Sequence, residues 1–418
     1  MRTLVFLIFL VAFQFSHATE LKSARPESVG LSSERLERIR PFMQAYVDNN
    51  QLAGVVTLIA RRGKVAHFEA VGKLNLVTGE ALAKDSLFRI YSMTKPVVAV
   101  AAMILYEQGK FQLTDPVEKY LPEFKDAKVW VEGELVNQDH AFTIRELMSH
   151  TAGMTYGIFG QTEVDALYRE ALFNSSGWGF KHKTVEEMVT AMSDLPLLYQ
   201  PGSQWTYSLS SDVLGRLIEV LSGQSLDKFF QTNIFDPLAM KDTFFTVPTD
   251  KIERLGTNHM RDKEGKLIVI EIPEKSNFTK DITFFSGGGG LVSTAMDYLR
   301  FSQMMLNNGS FNGHQLLGRK TIELMRTNQL SGGAAAGFGE QPGVKGTVGF
   351  GLGFAVITDQ PKTVLGSKGE YTWGGAAGTI FWVDPQEELV AILMVQMMAS
   401  PYDLRSQFKV LTDQAIID

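Results

Sequence analysis

Residues 89–97 read RIYSMTKPV and stand where an extended segment gives way to an apolar helix. From Pro96 the chain continues VVAVAAMILYEQGK, which is long enough for about three helical turns, and Gly109 suits the end of a helix. Proline is tolerated near a helix start, so Ser92 is expected in or just before the first turn. Because residues three apart share a helix face, the Ser92 hydroxyl and the Lys95 amine should lie side by side.

The Ser-x-x-Lys spacing alone is not specific, because it occurs twice more, at Ser225/Lys228 and Ser406/Lys409. Ser225 opens SLDKFFQTNIF, where helix capping explains it. Ser406 is expected inside the final helix, on a solvated face. Ser92 alone opens a long apolar helix, which buries its lysine and offers backbone N–H groups to an anion.

Composition excludes several classes of function. The 418 residues include 44% hydrophobic and 21% charged residues, and the net charge of −6 without a basic cluster argues against a nucleic-acid partner. The absence of cysteine excludes disulfides and thiol catalysis. No HExxH or grouped His/Asp/Glu pattern predicts a metal, and no cofactor is expected. His150, in SHTAG, has no marked partner and is expected to make a structural hydrogen bond.

The N-terminus has the pattern of a secretory signal. Arg2 supplies a positive charge, LVFLIFLVAF an apolar core too short to span a bilayer, and Ser16-His17-Ala18 a small-x-small cleavage site. Residues 1–18 are therefore predicted to be removed after Ala18. The mature unit, 19–418, is expected in the periplasm or outside the cell. No later segment predicts a stable membrane anchor.

The two ends of the mature chain are predicted to share one sheet. A helix through LERIRPFMQAYVDNN precedes a hairpin that turns at Arg62-Gly63-Lys64. Near the C-terminus GFGLGFAVI, GTIFWV and ELVAILMVQ predict three strands, followed by a helix through YDLRSQFKVLTDQAII. The predicted fold is α/β (α+β), an antiparallel sheet sandwiched by helices. Its subdomain comprises about 25–90 and 345–418 around an inserted helical region of about 91–344, in which 331–346 is a glycine-rich surface loop.

Two more stretches of sequence, together with RIYSMTKPV, make up a set of three motifs. YQPGSQWTYSLSSDVLG carries Tyr207 just before an apolar helix, and EYTWGGAAGTIFWVD carries Trp373-Gly374-Gly375-Ala376 next to a strand. Together the three stretches resemble the motifs of the serine β-lactamase and penicillin-binding-protein superfamily. The class C-like branch, with its family VIII carboxylesterases, is the most similar. Supporting phrases, among them GKFQLTDPVEKYLPEF, IRELMSHTAGM and GGGLVSTAMDYLRF, extend the resemblance over nearly all of the mature chain.

The resemblance implies a role for each motif residue. Ser92 would attack a carbonyl and form an acyl-enzyme, and the N–H groups of Ser92 and Ala376 would form the oxyanion hole. Lys95 and Tyr207 would carry the protons. Both residue types titrate near about 10 when unperturbed, and burial next to each other can shift one of them. The resemblance leaves open which of the two is the base.

Two departures from the lactamase pattern predict the substrate. Leu209 stands where that pattern has asparagine, and Trp373 stands where it has a cation. Neither side chain can pair with the amide or carboxylate of a penicillin. With Gly374 and Gly375 they are expected to line an apolar substrate pocket. The resemblance therefore implies a serine carboxylesterase that acts on short to medium uncharged esters, a small-molecule substrate.

Three alternatives remain. A β-lactamase or D,D-peptidase would need another positive residue in place of the missing cation. A hydrolase that modifies a lipid or peptide is the second. A non-catalytic penicillin-binding or sensor module is the third. It would need a membrane span and an output domain, and it would be expected to lose one of Ser92, Lys95 and Tyr207.

Overall fold

Strands from both ends of the chain form one antiparallel sheet. The computed structural model describes residues 21–174, 179–330, 347–360 and 365–418. Its strands are β1 (Gly54–Arg61), β2 (Lys64–Gly72), β3 (Phe88–Arg89), β4 (Lys128–Val131), β5 (Glu134–Asn137), β6 (Asn258–Arg261), β7 (Leu267–Glu271), β8 (Val292–Ser293), β9 (Ser310–Phe311), β10 (His314–Gln315), β11 (Val348–Phe350), β12 (Ala355–Ile357), β13 (Tyr371–Gly374), β14 (Ile380–Asp384) and β15 (Leu389–Val395). The seven-stranded sheet has the order β11-β12-β13-β14-β15-β1-β2. The predicted fold class is confirmed.

Helices cover both faces of this sheet. The helices are α1 (Ser33–Leu36), α2 (Ile39–Asp48), α3 (Thr94–Glu107), α4 (Ile144–Met148), α5 (Glu163–Leu172), α6 (Val185–Ser193), α7 (Ser210–Ser222), α8 (Leu226–Phe230), α9 (Asp236–Leu238), α10 (Ala295–Leu306), α11 (Arg319–Met325) and α12 (Leu404–Asp413). Helices α2 and α12 pack on one face, and α10 packs on the other against β1, β14 and β15.

Strand β1 shows why the sheet needs helices on both sides. All eight of its residues are buried. Val55 and Ile59 join the apolar cluster that contains residues of α2 and α12, whereas Val56 and Leu58 join the cluster that contains residues of α10. Successive side chains of a strand point to opposite faces, so an apolar strand of this kind must be covered twice.

The segment between β2 and β11 holds the remaining helices. Helix α3 is buried from Thr94 to Leu105 and packs against α7, which carries the second motif at its N-terminus. Four two-stranded sheets, β3–β8, β4–β5, β6–β7 and β9–β10, also lie in the described part of this segment. No sequence pattern predicted these sheets, because their strands are only two to five residues long. The division into a subdomain and an insertion stays a prediction.

One strand prediction near the C-terminus is wrong. GFGLGFAVI was expected to be a single strand, but the chain reverses within it, where the Gly351 N–H donates to Phe354 O at 2.9 Å. Strands β11 and β12 therefore form a hairpin, and Tyr371–Gly374 is a strand of its own. Gly353, with φ 97°, permits the reversal, and the strand prediction gave too little weight to the glycines as a turn signal.

Two predicted segments, the secretory signal at 1–18 and the glycine-rich loop at 331–346, lie outside the described residues. Inside the described ranges, no helix combines the length and apolar character that a membrane span requires. In the same ranges, no group of three or more His, Cys, Asp or Glu side chains could hold a metal ion.

Candidate active site

The turn that carries Ser92 is held in an unusual backbone conformation. Residues Tyr91–Met93 form one 3₁₀ turn, and α3 begins directly after it at Thr94. Tyr91 has a left-handed backbone with φ 42°, which is uncommon for a bulky residue. Its hydroxyl oxygen accepts a 2.8 Å hydrogen bond from Asn258, and burial raises the pKa of Tyr91 to about 12. The surrounding structure thus fixes the residue before Ser92.

Ser92 Oγ lies within reach of both side chains that are expected to move its proton. Its distance is 3.4 Å to Lys95 Nζ and 2.7 Å to the Tyr207 hydroxyl oxygen. Lys95 is fully buried, whereas Ser92 and Tyr207 are half-buried. The structure therefore brings together three residues from two separate motifs, with the serine still accessible. Their catalytic roles stay predictions.

The remaining partners of Lys95 come from segments outside the motifs. Lys95 Nζ donates to Gly288 O at 2.7 Å and to the Tyr156 hydroxyl at 3.1 Å. It also lies over the rings of Tyr207 and Tyr156, 4.7 and 5.2 Å from their centroids. With Ser92, three acceptors match the three N–H donors of an ammonium. The sequence analysis missed Tyr156 and Gly288 because folding, and not spacing along the chain, brings them to Lys95.

His150 supports the site as a neutral side chain. Its Nδ1 lies 3.0 Å from Ser208 Oγ, and its ring contacts that of Tyr207 edge-on. Burial, assisted by the charge of Lys95, holds the pKa of His150 well below its usual range. The structural hydrogen bond expected for this histidine is confirmed.

The Trp-Gly-Gly motif brings the end of β13 against the serine turn. Trp373 is 5% exposed, and its ring packs on that of Tyr207 with centroids 5.5 Å apart. A Cβ at Gly375 would lie 2.4 Å from Ile90 O and 2.2 Å from Thr379 Oγ1, closer than real atoms approach. Only glycine permits this packing, which places the motif beside the backbone that leads into Ser92.

The other predicted pocket residues have different surroundings. Ala376 is exposed in the turn after β13, and its N–H makes no backbone hydrogen bond within the described residues. An uncommitted amide is what an oxyanion hole requires. Leu209 is fully buried at the start of α7. A Cβ at Gly374 would meet the Arg405 guanidinium at 2.8 Å. The pocket roles of these residues stay predictions.

Arg405 is a cation that the sequence analysis missed. Its Nη2 donates to Gly375 O at 2.6 Å and to Thr379 O at 3.0 Å. A cavity of about 210 Å³ adjoins it, with Ala376 and Asp403 in the lining. Because Arg405 belongs to α12, its amphipathic helix pattern gave no hint that the guanidinium reaches the third motif. A positive charge therefore lies close to the place where the motif has tryptophan.

Comparisons with known proteins identify the family of this chain. The family model described as Beta-lactamase matches residues 39–414. Protein Rv1367c of Mycobacterium tuberculosis (strain ATCC 25618 / H37Rv) is 32% identical over 361 residues, which cover 84% of this chain and 87% of that protein. Esterase EstB of Burkholderia gladioli is 29% identical over 390 residues, or 89% of this chain and 93% of EstB. The solved structure of EstCE1, described as a hydrolase with promiscuous acyltransferase activity, is 27% identical with a TM-score of 0.77, and covers 92% of this chain and 99% of EstCE1. This chain belongs to the Beta-lactamase family.

Proposed function

We propose that this chain is a serine carboxylesterase that cleaves short to medium uncharged esters through an acyl-enzyme on Ser92. One observation carries the proposal: Ser92 Oγ lies 3.4 Å from Lys95 Nζ and 2.7 Å from the Tyr207 hydroxyl. A serine hydroxyl is a weak nucleophile unless a neighbouring group takes its proton, and this geometry provides such a group. The similarity to esterase EstB supports esters as the substrate class.

The reaction would proceed in two halves. Ser92 Oγ attacks the ester carbonyl carbon while its proton passes to the Lys95–Tyr207 pair, and the carbonyl oxygen becomes an oxyanion. The N–H groups of Ser92 and Ala376 would each stabilise that oxyanion by about 3 kcal/mol. The leaving alcohol takes the proton, and the acyl group stays on Ser92. Water then attacks the acyl carbon and gives a proton to the same pair. The bond between the acyl carbon and Ser92 Oγ breaks, Ser92 Oγ takes that proton, and the acid leaves.

Aromatic side chains around Ser92 support an uncharged substrate. The Trp373 ring packs against those of Tyr207 and Phe350, with centroids 5.5 and 5.2 Å away. Phe159 stacks on Tyr207 at 5.8 Å and is 65% exposed, so it offers apolar surface beside the nucleophile. An acyl chain gains contact with such a surface, whereas a carboxylate would lose water without gaining a partner there.

A substrate panel tests the proposal directly. We expect the purified mature protein to hydrolyse p-nitrophenyl esters of short to medium acyl length with a higher kcat/KM than a chromogenic cephalosporin or a D-Ala-D-Ala peptide. The Ser92→Ala variant is the control for each substrate. A higher kcat/KM for the cephalosporin or the peptide would contradict the proposal. Covalent penicillin binding without turnover of any substrate would instead favour the binding-module alternative.

A β-lactamase or D,D-peptidase activity is the second candidate, and Arg405 is the observation that favours it. The guanidinium bonds two carbonyl oxygens beside Ala376, yet it has five N–H donors in total and could also bind a substrate carboxylate. Under this candidate, Arg405→Ala should lower kcat/KM for an anionic cephalosporin and leave that for a neutral ester unchanged. Equal losses on both substrates would mean that Arg405 only supports the backbone of the third motif.

We also propose that residues 1–18 are a secretory signal and that the mature chain is exported. The support is the charged, apolar and small-residue pattern of this segment. N-terminal sequencing of the protein recovered outside the cytoplasm should begin at Thr19. A sequence that begins at Met1 would contradict the proposal.

A further inference from the structure

A carboxylate that belongs to none of the three motifs is buried beneath the site. Asp212, in the first turn of α7, is 0% exposed. Its Oδ1 accepts hydrogen bonds from Ser286 Oγ at 2.5 Å and from the Gly288 N–H at 3.1 Å. Its Oδ2 has no hydrogen-bond partner in the part of the chain that the structure describes. Burying a carboxylate in this way is costly unless a positive charge compensates it.

Gly288 links this carboxylate to the catalytic lysine. Its N–H donates to Asp212, and its carbonyl oxygen accepts from Lys95 Nζ at 2.7 Å. A Cβ at this position would lie 2.4 Å from Asp212 Oδ2 and 3.1 Å from the Tyr156 hydroxyl. Glycine therefore allows the carboxylate, the phenol and the lysine to occupy one buried compartment. Burial raises the pKa of Asp212, and the charge of Lys95 opposes that rise.

The other titratable groups around Lys95 leave its charge unbalanced. Burial, with the charges of Tyr207 and Asp212, raises the pKa of Tyr156 well above its usual range, so that phenol stays neutral. Burial and Lys95 hold the pKa of His150 well below its usual range, so the imidazole is neutral as well. The Tyr207 hydroxyl donates its hydrogen to Ser92 Oγ at 2.7 Å. Asp212 is thus the carboxylate available to balance Lys95 within the described residues.

We propose that Asp212 is a positioning residue whose negative charge keeps Lys95 an ammonium. This inference rests on the proposed function in one respect, the assignment of Ser92 as the nucleophile. The inference also explains how the site can have Leu209 where the lactamase motif has an amide. Leu209 is buried and apolar, and the polar surroundings of Lys95 are supplied by Tyr156, Gly288 and Asp212 instead.

The substitution Asp212→Asn removes the charge and keeps the shape. Without the carboxylate, a phenolate at Tyr207 forms more readily, because the negative charge that repels it is gone. Lys95 also loses its proton more readily, because the charge that favours the ammonium is gone. Both effects move the onset of Ser92 reactivity to lower pH, by roughly one pH unit for a buried pair.

The test measures the rate at which a fluorophosphonate labels Ser92 across about pH 5 to 10, because labelling requires an activated serine and no ester turnover. We expect the profile of Asp212→Asn to move to lower pH by roughly one unit relative to wild type. Asp384→Asn, which removes a buried carboxylate from the β14–β15 turn, should leave the profile in place. Ser286→Ala keeps the charge and should also keep the midpoint.

An unshifted profile in Asp212→Asn, or an equal shift in Asp384→Asn, would overturn the inference. Wild-type protein that labels at Ser92 and hydrolyses no ester would contradict the proposed function instead, so the two failures are distinguishable. If Asp212→Asn does not fold, ¹³C-lysine NMR of wild type replaces it. The Lys95 Cε signal, assigned by its loss in Lys95→Met, should keep the ammonium shift across about pH 6 to 9, and titration within that range would overturn the inference.

Discussion

Two lysines with the same Ser-x-x-Lys spacing lie in opposite surroundings. Lys95, three residues after Ser92, donates to the Ser92 hydroxyl and has no carboxylate within ion-pair distance in the described part of the chain. Lys409, three residues after Ser406, forms an ion pair with the buried carboxylate of Glu370 at 2.7 Å. The two lysines therefore differ in where the nearest carboxylate of the described residues lies: it contacts Lys409, but it is beyond ion-pair distance from Lys95.

The surroundings of Lys409 suit a structural role. A second carboxylate, Asp413, lies 3.2 Å from its Nζ, and the Trp382 ring lies 4.8 Å away. These partners raise the pKa of Lys409 against the effect of burial, so its ammonium cannot serve as a base near neutral pH. The solvated face expected for Ser406 does not extend to Lys409, whose side chain is 17% exposed. The spacing therefore defines a site only together with what surrounds the lysine.

Removal of the Ser92 hydroxyl should cause the largest loss of activity. We expect Ser92→Ala to lower kcat for a p-nitrophenyl ester by at least about 10⁴-fold, because the acyl group loses its point of attachment. Ser406→Ala and Ser225→Ala are matched controls on the same spacing and should keep wild-type kcat. A comparable loss of kcat in Ser406→Ala would contradict the different roles assigned to Lys95 and Lys409.

Substitution of the two proposed proton carriers, Lys95 and Tyr207, should cause the next largest loss of kcat. Lys95→Ala and Tyr207→Phe should each lower kcat by about 10²- to 10⁴-fold with little change in the urea midpoint of unfolding. Because both are proposed to act on one proton transfer, the double variant should lose much less than the product of the single losses. Near-normal kcat in Tyr207→Phe would remove the tyrosine from the mechanism and leave Lys95 as the sole base.

Lys409→Met should affect stability and not turnover. It leaves Glu370 buried without its partner, so we expect the free energy of unfolding to fall by about 2–3 kcal/mol while kcat per folded molecule stays unchanged. Lys228→Met, at the exposed lysine of the third Ser-x-x-Lys spacing, should change stability by less than about 0.5 kcal/mol. A large loss of kcat in Lys409→Met would contradict its structural role.

The loss in Lys409→Met should also depend on pH. Burial raises the pKa of Glu370 to about 7 even with Lys409 present. A carboxyl group whose pKa is raised in the folded state stabilises the protein at low pH, and this contribution is lost as pH rises through the folded-state pKa. Without Lys409 the folded-state pKa rises further, so the stability deficit should be larger at pH 8 than at pH 5.5. Urea unfolding at the two values measures it, and equal deficits would contradict the argument.

The smallest expected effect is on specificity at Trp373. Trp373→Lys places a cation where the lactamase motif has one and removes apolar surface next to Tyr207. The ratio of kcat/KM for an anionic cephalosporin to that for a long uncharged ester should rise several-fold. A partly exposed charge pair contributes only about 1 kcal/mol, so no conversion is expected. A flat or falling ratio would show that specificity is set elsewhere, for example by Phe159 or Arg405.

Sequence predicted those parts of the site whose signals are local. The apolar run after Pro96 identified α3 and the start that carries Ser92, and short, largely apolar runs identified strands of the sheet. Ser92 lies in a separate 3₁₀ turn just before α3, which begins at Thr94, and this position is within the expected range. A short-range pattern does not separate the two kinds of turn.

The rest of the site depends on contacts between distant segments. Tyr156 and Gly288 are 61 and 193 residues from Lys95 along the chain, yet both bond its amine. Asp212 looks like an ordinary first-turn aspartate of α7, which favours that position for its charge alone. Arg405 looks like the polar face of an amphipathic helix. No spacing rule connects these residues, because their proximity is a consequence of the complete fold.

The central claim is that the ester's acyl group becomes bonded to Ser92, and trapping that intermediate tests it most directly. Wild-type protein mixed with a p-nitrophenyl ester and quenched in acid within the first turnovers should show, by intact mass, one added acyl group. Peptide mapping should place that group on Ser92, and Ser92→Ala should carry none. Rapid ester turnover with the acyl group on another serine would contradict the account.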